Sequence, residues 1–133
     1  MNPILRNVLA VLVGASVCMF LNGFLLDQMM KLIIAPAGFD PKQVDTYHLL
    51  QPVHYLSPFV AHALPSLVGG LIAALLAAHH GRSMALIVGG LHLLGGIAAA
   101  FLIPAPVWFI ATDLVVAYLP MAWLGWLLSR RGA

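Results

Sequence analysis

The chain has 133 residues, of which 62% are hydrophobic and 8% charged, with a formal net charge of +2 and a mean hydropathy of +1.02. A water-soluble domain carries roughly a quarter charged residues, so lipid is the expected solvent. Four spans of about 20 residues use most of the length and leave no room for a soluble catalytic domain. The six basic residues form no stripe, which argues against a nucleic-acid partner and leaves the lipid bilayer as the expected one.

The first apolar segment covers about residues 6–30. Its start, Met1 to Arg6 followed by VLAVLVGASVCMF, imitates a secretory signal. The apolar run continues through Leu26 with no small-x-small cleavage pattern before a polar chain, so a retained helix is expected. Asn22 and Asp27 interrupt this span, Lys31 follows it, and Pro36 ends it. Cys18, the sole cysteine, excludes an internal disulfide and reads as a small core residue.

A polar connection of about residues 35–57 comes next, rich in Gly, Pro, Asp, Lys and Gln. Within it VDTYHLL suits a short interfacial turn, with Tyr47 and Tyr55 holding rings in the apolar zone and hydroxyls in water. The second span, 58–78, opens on Pro58, whose missing N–H is harmless at a first helical position. HHGRS closes it. The third span, 84–103, and the fourth, 107–128, are joined by PAP alone, so they are expected to be antiparallel neighbours.

Arg6, Arg82, Arg130 and Arg131 fall on one side of these spans, and Lys31 and Lys42 on the other. The excess places both termini and HHGRS in the cytoplasm and the long loop in the periplasm of a bacterial inner membrane. Trp108 and Phe109 at one end of the fourth span, and Trp123 and Trp126 at the other, match two aromatic belts.

Helices in lipid associate through close packing, which small residues at four-residue spacing permit. The second span has Ser66, Gly70, Ala74 and Ala78 in one row and Gly69, Ala73 and Ala77 in the next. The third has Gly89, Gly96 and Ala100, with Gly95 and Ala99 beside them, so these two helices are expected to touch.

Four ionisable residues lie inside spans: Asp27, His62, His92 and Asp113. A charge at the centre of a membrane helix costs about 2.5–3.5 kcal/mol on the lower scales, so such groups face the bundle interior or water. At about 1.5 Å per residue, His92 lies near the midplane, and Asp113, His62 and Asp27 lie roughly 6, 9 and 13 Å outward of the middle of their own spans. Asn22 and Thr112 add uncharged hydrogen-bonding groups. Pro65 and Pro120 each deprive a carbonyl, of Ala61 and Val116, of its helical donor. His beside Asp can exchange protons near neutral pH, and a structural pair that fixes helix register is the competing expectation.

No metal-ligand spacing such as HExxH and no GxSxG or phosphate loop occurs, so no catalytic residue and no metal set is assigned, and an enzyme is not favoured. The cofactor stays open; a bis-histidine haem through His62 and His92 is disfavoured by their depth difference of roughly 7 Å. His79 and His80 read as a solvated end, and His48 and His54 as outer-loop residues.

The segments SPFVAHALPSLVGGLIAALLAAHH and LLGGIAAAFLIPAPVWFIATDLVVAYLPMAWLGWLL resemble small bacterial four-helix membrane proteins of about this length, which have no established activity. Those relatives read HALG where this chain has HALP at His62 to Pro65. The resemblance implies the topology and no activity. Small multidrug transporters and fluoride channels share only the four-helix pattern; the early glutamate of the former and the motif of the latter are missing.

The expected architecture is an all-α, membrane-embedded antiparallel four-helix bundle forming a single domain over 1–133. Asp27, His62, His92 and Asp113 would line a periplasmic pocket for small-solute or cation translocation. The alternative is a non-catalytic accessory subunit, and the expected partners are a second copy or a larger membrane complex.

Overall fold

The computed structural model describes residues 1–131; Gly132 and Ala133 of the expected 1–133 domain, and the Arg131 side chain counted for orientation, lie outside the described residues. The chain is helical, with no strand among those residues: α1 (Pro3–Leu32), α2 (Leu56–Leu76), α3 (Gly81–Leu102), α4 (Val107–Val116) and α5 (Leu119–Arg131). Two 3-10 turns, Val44–Leu49 and Pro52–Tyr55, order the connection between α1 and α2. The first is the VDTYHLL turn anticipated from its pattern.

Four helical stretches are long and apolar enough to cross a membrane: Pro3–Leu32, Pro52–Leu76, Gly81–Leu102 and Val107–Arg130. Large apolar side chains such as Phe20, Leu94, Phe101 and Val115 point outward, while the interior holds mostly small ones. That inversion is what a chain dissolved in hydrocarbon needs, because burying leucine against leucine gains nothing there and close backbone packing does.

Local chemistry sets the helix ends. Asn2 caps α1, its Oδ1 accepting from Ile4 N–H at 2.8 Å, and Pro3 takes the first helical position. The start of α1 also closes the far end of α2: Arg6 Nε donates to Leu76 O at 2.8 Å, and Asn7 Oδ1 accepts from Ala78 N–H at 2.8 Å. Arg6 therefore satisfies a terminal carbonyl that the helix itself cannot. His80, at φ 57°, holds the left-handed conformation that lets the chain reverse into α3.

The second helix is the hub, touching α1, α3 and α5, and its closest neighbour is α1. The small rows divide between partners. A Cβ added at Gly14 would lie 2.6 Å from the Gly69 carbonyl oxygen, so α1 and α2 approach backbone to backbone. A Cβ at Gly70 would lie 2.8 Å from Ala122 Cα, the corresponding approach of α2 and α5. Helices α2 and α3 do touch, yet the glycines of α3 serve mainly the last helices, Gly89 against Ala122 and Gly96 against Tyr118.

The expected fourth span is one apolar stretch, Val107–Arg130, but its helix is interrupted within. Pro120 has no N–H for Val116 O and its ring crowds that carbonyl, so α4 stops at Val116 and α5 resumes at Leu119. The two residues of the break, Ala117 and Tyr118, are fully buried. Pro65, by contrast, sits within an uninterrupted α2. Phe109 also departs from its expected belt position: it is buried against Tyr55, ring centroids 4.9 Å apart, while Trp108 beside it stays exposed.

Candidate functional site

Three of the four residues singled out by the sequence come together where α2, α3 and the α4–α5 break meet. Asp113, at 4% exposure, accepts from His62 Nδ1 at 2.8 Å on one oxygen and 3.0 Å on the other. The Tyr118 hydroxyl donates to the same carboxylate at 3.0 Å. Two donors thus replace the hydration that burial removes from the carboxylate.

Tyr118 is aimed at Asp113 by the break in the helix and by space left at Gly96. A Cβ on Gly96 would collide with the Tyr118 ring and hydroxyl. The aromatic rings close around this point: His62 stacks on Tyr118 with centroids 5.4 Å apart, and His92 meets Tyr118 edge-on at 4.9 Å. His62 and His92 touch edge-on at 5.9 Å.

Hydrogen-bond accounting assigns the imidazole tautomers. Ser66 has one hydroxyl proton and donates it to the His62 carbonyl at 2.7 Å. Its oxygen is then an acceptor for His92 Nδ1 at 2.8 Å, so that nitrogen carries a proton. Cys18 Sγ lies 3.2 Å from the same nitrogen. The Asp113 carboxylate likewise requires a proton on His62 Nδ1. Nε2 of each ring has no hydrogen-bond partner among the described residues.

Two cavities meet at this cluster. One, of about 310 Å³, lies under the connecting loop and is lined by Phe39, Tyr47, Ser57, His62, Phe109 and Asp113 among others. The second, of about 440 Å³, lies between α1 and α3 and is lined by Cys18, Asn22, His62, His92 and Tyr118. His62, Gly96 and Ala99 border both. Asn22 contributes an unpartnered buried Oδ1 to the second cavity, and Ser57 an unpartnered buried Oγ to the first.

Asp27 stands apart from these residues. It accepts from Lys31 Nζ at 2.7 Å and from Gln28 Nε2 at 2.9 Å on the exposed side of α1. One helical turn separates Asp27 from Lys31, the spacing at which a local ion pair forms without help from the fold. Thr112 also turns away, donating to Trp108 O at 2.7 Å. His54 reaches the first cavity, whereas His48 is engaged with the Asp45 carbonyl. His79 and His80 are exposed.

Tyr118 and Ser57 are the site residues that sequence reasoning passed over. A tyrosine deep within a span, five residues after a buried carboxylate and two before a proline, was the available signal for the first. Nothing in the pattern marked Ser57. No cluster of three or more His, Cys, Asp or Glu side chains suited to a metal ion occurs among the described residues.

Comparison with known proteins returns no match: no family model, no curated protein and no solved structure corresponds to this chain.

Proposed function

We propose that the protein is a bacterial inner-membrane translocator of a small solute or cation, in which the His62–Asp113 pair exchanges a proton. The observation that carries this reading is the place of His62. It borders both cavities, and Asp113 holds its Nδ1 so that Nε2 is free to take up or release a proton. Imidazole is the side chain whose ordinary titration lies nearest neutral pH. A proton-exchanging group that borders two cavities is what coupling solute movement to proton movement requires.

The proposed setting is an antiparallel four-helix bundle with the 33–55 connection in the periplasm and both termini in the cytoplasm. The distribution of Lys and Arg supports it. So does the arrangement at the α5 end, where the guanidinium groups of Arg82 and Arg130 lie 5.7 and 5.2 Å from the centre of the Trp126 ring, an amphipathic anchor suited to a headgroup boundary.

The test is 15N NMR of histidine side chains in nanodiscs while the pH of the medium is varied between about 5 and 8. The expected result is a His62 imidazole that changes protonation with the medium and whose response changes in Asp113→Asn. A His62 that keeps one protonation state throughout would sink the reading.

A second reading, an accessory subunit within a larger complex or a homodimer, is favoured by Gly90 and Gly95 on α3. Neither has an atom within 4 Å of the place a Cβ would take, so a neighbour could approach the backbone closely at each. Crosslinking from cysteines placed at these positions would capture a neighbour if that reading holds and none in the isolated translocator.

A further inference from the structure

The end of the bundle opposite the connecting loop gathers positive charge and no acidic side chain. There the start of α1 meets the finish of α2, α3 begins beside Ala74, and α5 finishes beside the start of α3. Arg6, His79, His80, Arg82 and Arg130 belong to this end. The chain has four acidic side chains, and all lie elsewhere. Asp27 pairs with Lys31 near the far end of α1, Asp40 and Asp45 belong to the connecting loop, and Asp113 is in the interior.

Arg82 and Arg130 share one neighbour. Both side chains are exposed, and their Cζ atoms lie 5.7 and 5.2 Å from the centre of the Trp126 ring. Neither guanidinium has a hydrogen-bond or carboxylate partner among the described residues. Attraction to an indole consumes no N–H, so each fork keeps its donors. Planar forks of this kind match the oxygens of a phosphate.

The surroundings of the ring distinguish a lipid phosphate from a free one. Along α5, Trp123, Trp126 and Arg130 follow at spacings of three and four, so they share a helix face, with the charge at the end and the indoles deeper in the apolar stretch. Trp123 is exposed, its ring centre 6.4 Å from that of Trp126, and Leu124 and Leu128 are exposed as well. A free phosphate makes no use of that apolar flank. A zwitterionic lipid would bring an ammonium to a rim that is already cationic, whereas an anionic phospholipid brings negative charge alone.

We propose that this face of α5, together with Arg82 of α3, binds an anionic phospholipid, its phosphate on the Arg82 and Arg130 guanidinium groups and an acyl chain along Trp123. The assignment rests on the bilayer setting of the translocation reading and is independent of translocation itself.

The experiment labels the full chain with 5-fluorotryptophan and follows it by 19F NMR in phosphatidylcholine nanodiscs, as phosphatidylglycerol replaces an increasing share of the lipid. The three tryptophans give three signals, assigned by single substitutions to phenylalanine. The Trp126 signal is expected to shift saturably. The Trp108 signal, from the other end of the bundle, should stay in place and reports that the fold of each variant is intact. Arg82→Gln and Arg130→Gln should each weaken the response about tenfold, the factor set by one lost hydrogen bond to a charged group. Arg82→Lys keeps the charge but loses the fork, and it should also weaken the response, which attraction to a merely charged surface would not show. Three results would overturn the assignment: a Trp126 signal that drifts in simple proportion to the anionic fraction, one that saturates equally in the two Gln variants, or one that inorganic phosphate shifts equally well in phosphatidylcholine alone. A chain that never enters nanodiscs removes the bilayer setting and the translocation reading together. A chain that enters them without a saturable response removes only the lipid site.

Discussion

Tyr118 occupies the space that a side chain at Gly96 would need, and from there its hydroxyl reaches Asp113. The glycine on α3 and the tyrosine at the α4–α5 break are therefore one device for supplying a donor to a buried carboxylate. Gly96→Ala should displace the Tyr118 ring and cost about 1–3 kcal/mol, the usual range for overpacking. Tyr118→Phe should cost about 1–2 kcal/mol by removing the donor alone. Because both changes break the same contact, the double variant should lose less than the sum of the two. Unfolding titrations in detergent, monitored by tryptophan fluorescence, measure the cycle, and strict additivity would show that Gly96 does not act through Tyr118.

The two aspartates expected at one site should behave differently. Asp113→Ala leaves the His62 and Tyr118 donors without an acceptor, at about 1–3 kcal/mol for each. Asp27→Asn removes an exposed pair with Lys31, where such pairs contribute about 0–1 kcal/mol. Parallel melts of the two variants should show a large loss for the first and almost none for the second. A large loss in Asp27→Asn would mean that the exposed pair has a second partner.

Ser66→Ala should act on His92 without touching the carboxylate. With the Ser66 acceptor gone, the proton on Nδ1 loses its partner, and the ring is free to shift the proton to Nε2. The 15N spectrum of His92 is expected to change from the Nδ1–H pattern to a mixture of tautomers, with His62 unaltered. An unchanged His92 spectrum would show that Cys18 alone orients the ring.

The glycines of the apolar helices include two groups that substitution should separate. At Gly14 and Gly69 an added methyl meets the facing helix at 2.6 and 2.8 Å, so alanine there should drive α1 from α2 at about 1–3 kcal/mol. At Gly90 and Gly95 the same change meets open space and should be neutral or slightly stabilising through helix propensity. Comparing the four alanine variants by thermal unfolding checks the division; equal losses in all four would place an unseen partner on the outer face of α3.

Hydropathy made the four apolar stretches legible because burial in lipid demands long runs without charge, and the loop and its short turn followed from Gly, Pro and alternation. The spacing of His62 and Ser66 also read true, since residues four apart share a helix face. Three features were not legible for physical reasons. Asp27 has a lysine one turn away, and a local pair competes with any distant site, which depth alone does not reveal. The break at Ala117 and Tyr118 depended on whether Pro120 would bend the helix or end it, a choice made by the packing of the buried Tyr118. Phe109 looks like a belt residue in a list of aromatics beside Trp108, but only the partner ring of Tyr55, brought by the loop, decides which of the two turns inward.

The separation of His62 and Asp113 by 51 positions along the chain has a bearing on how the molecule is made. During synthesis α1 and α2, the pair in closest contact, can zip together through Gly14 and Gly69 before the later helices leave the ribosome. His62, on α2, is therefore made and in place well before its partner. The carboxylate, costly to place in an apolar interior, arrives with the penultimate helix, when its imidazole donor is already in position and its tyrosine donor follows five residues behind. The order of the helices thus spares Asp113 a period without its donors, and a circular rearrangement that placed α4 first would be expected to assemble more slowly even though its finished contacts would be the same.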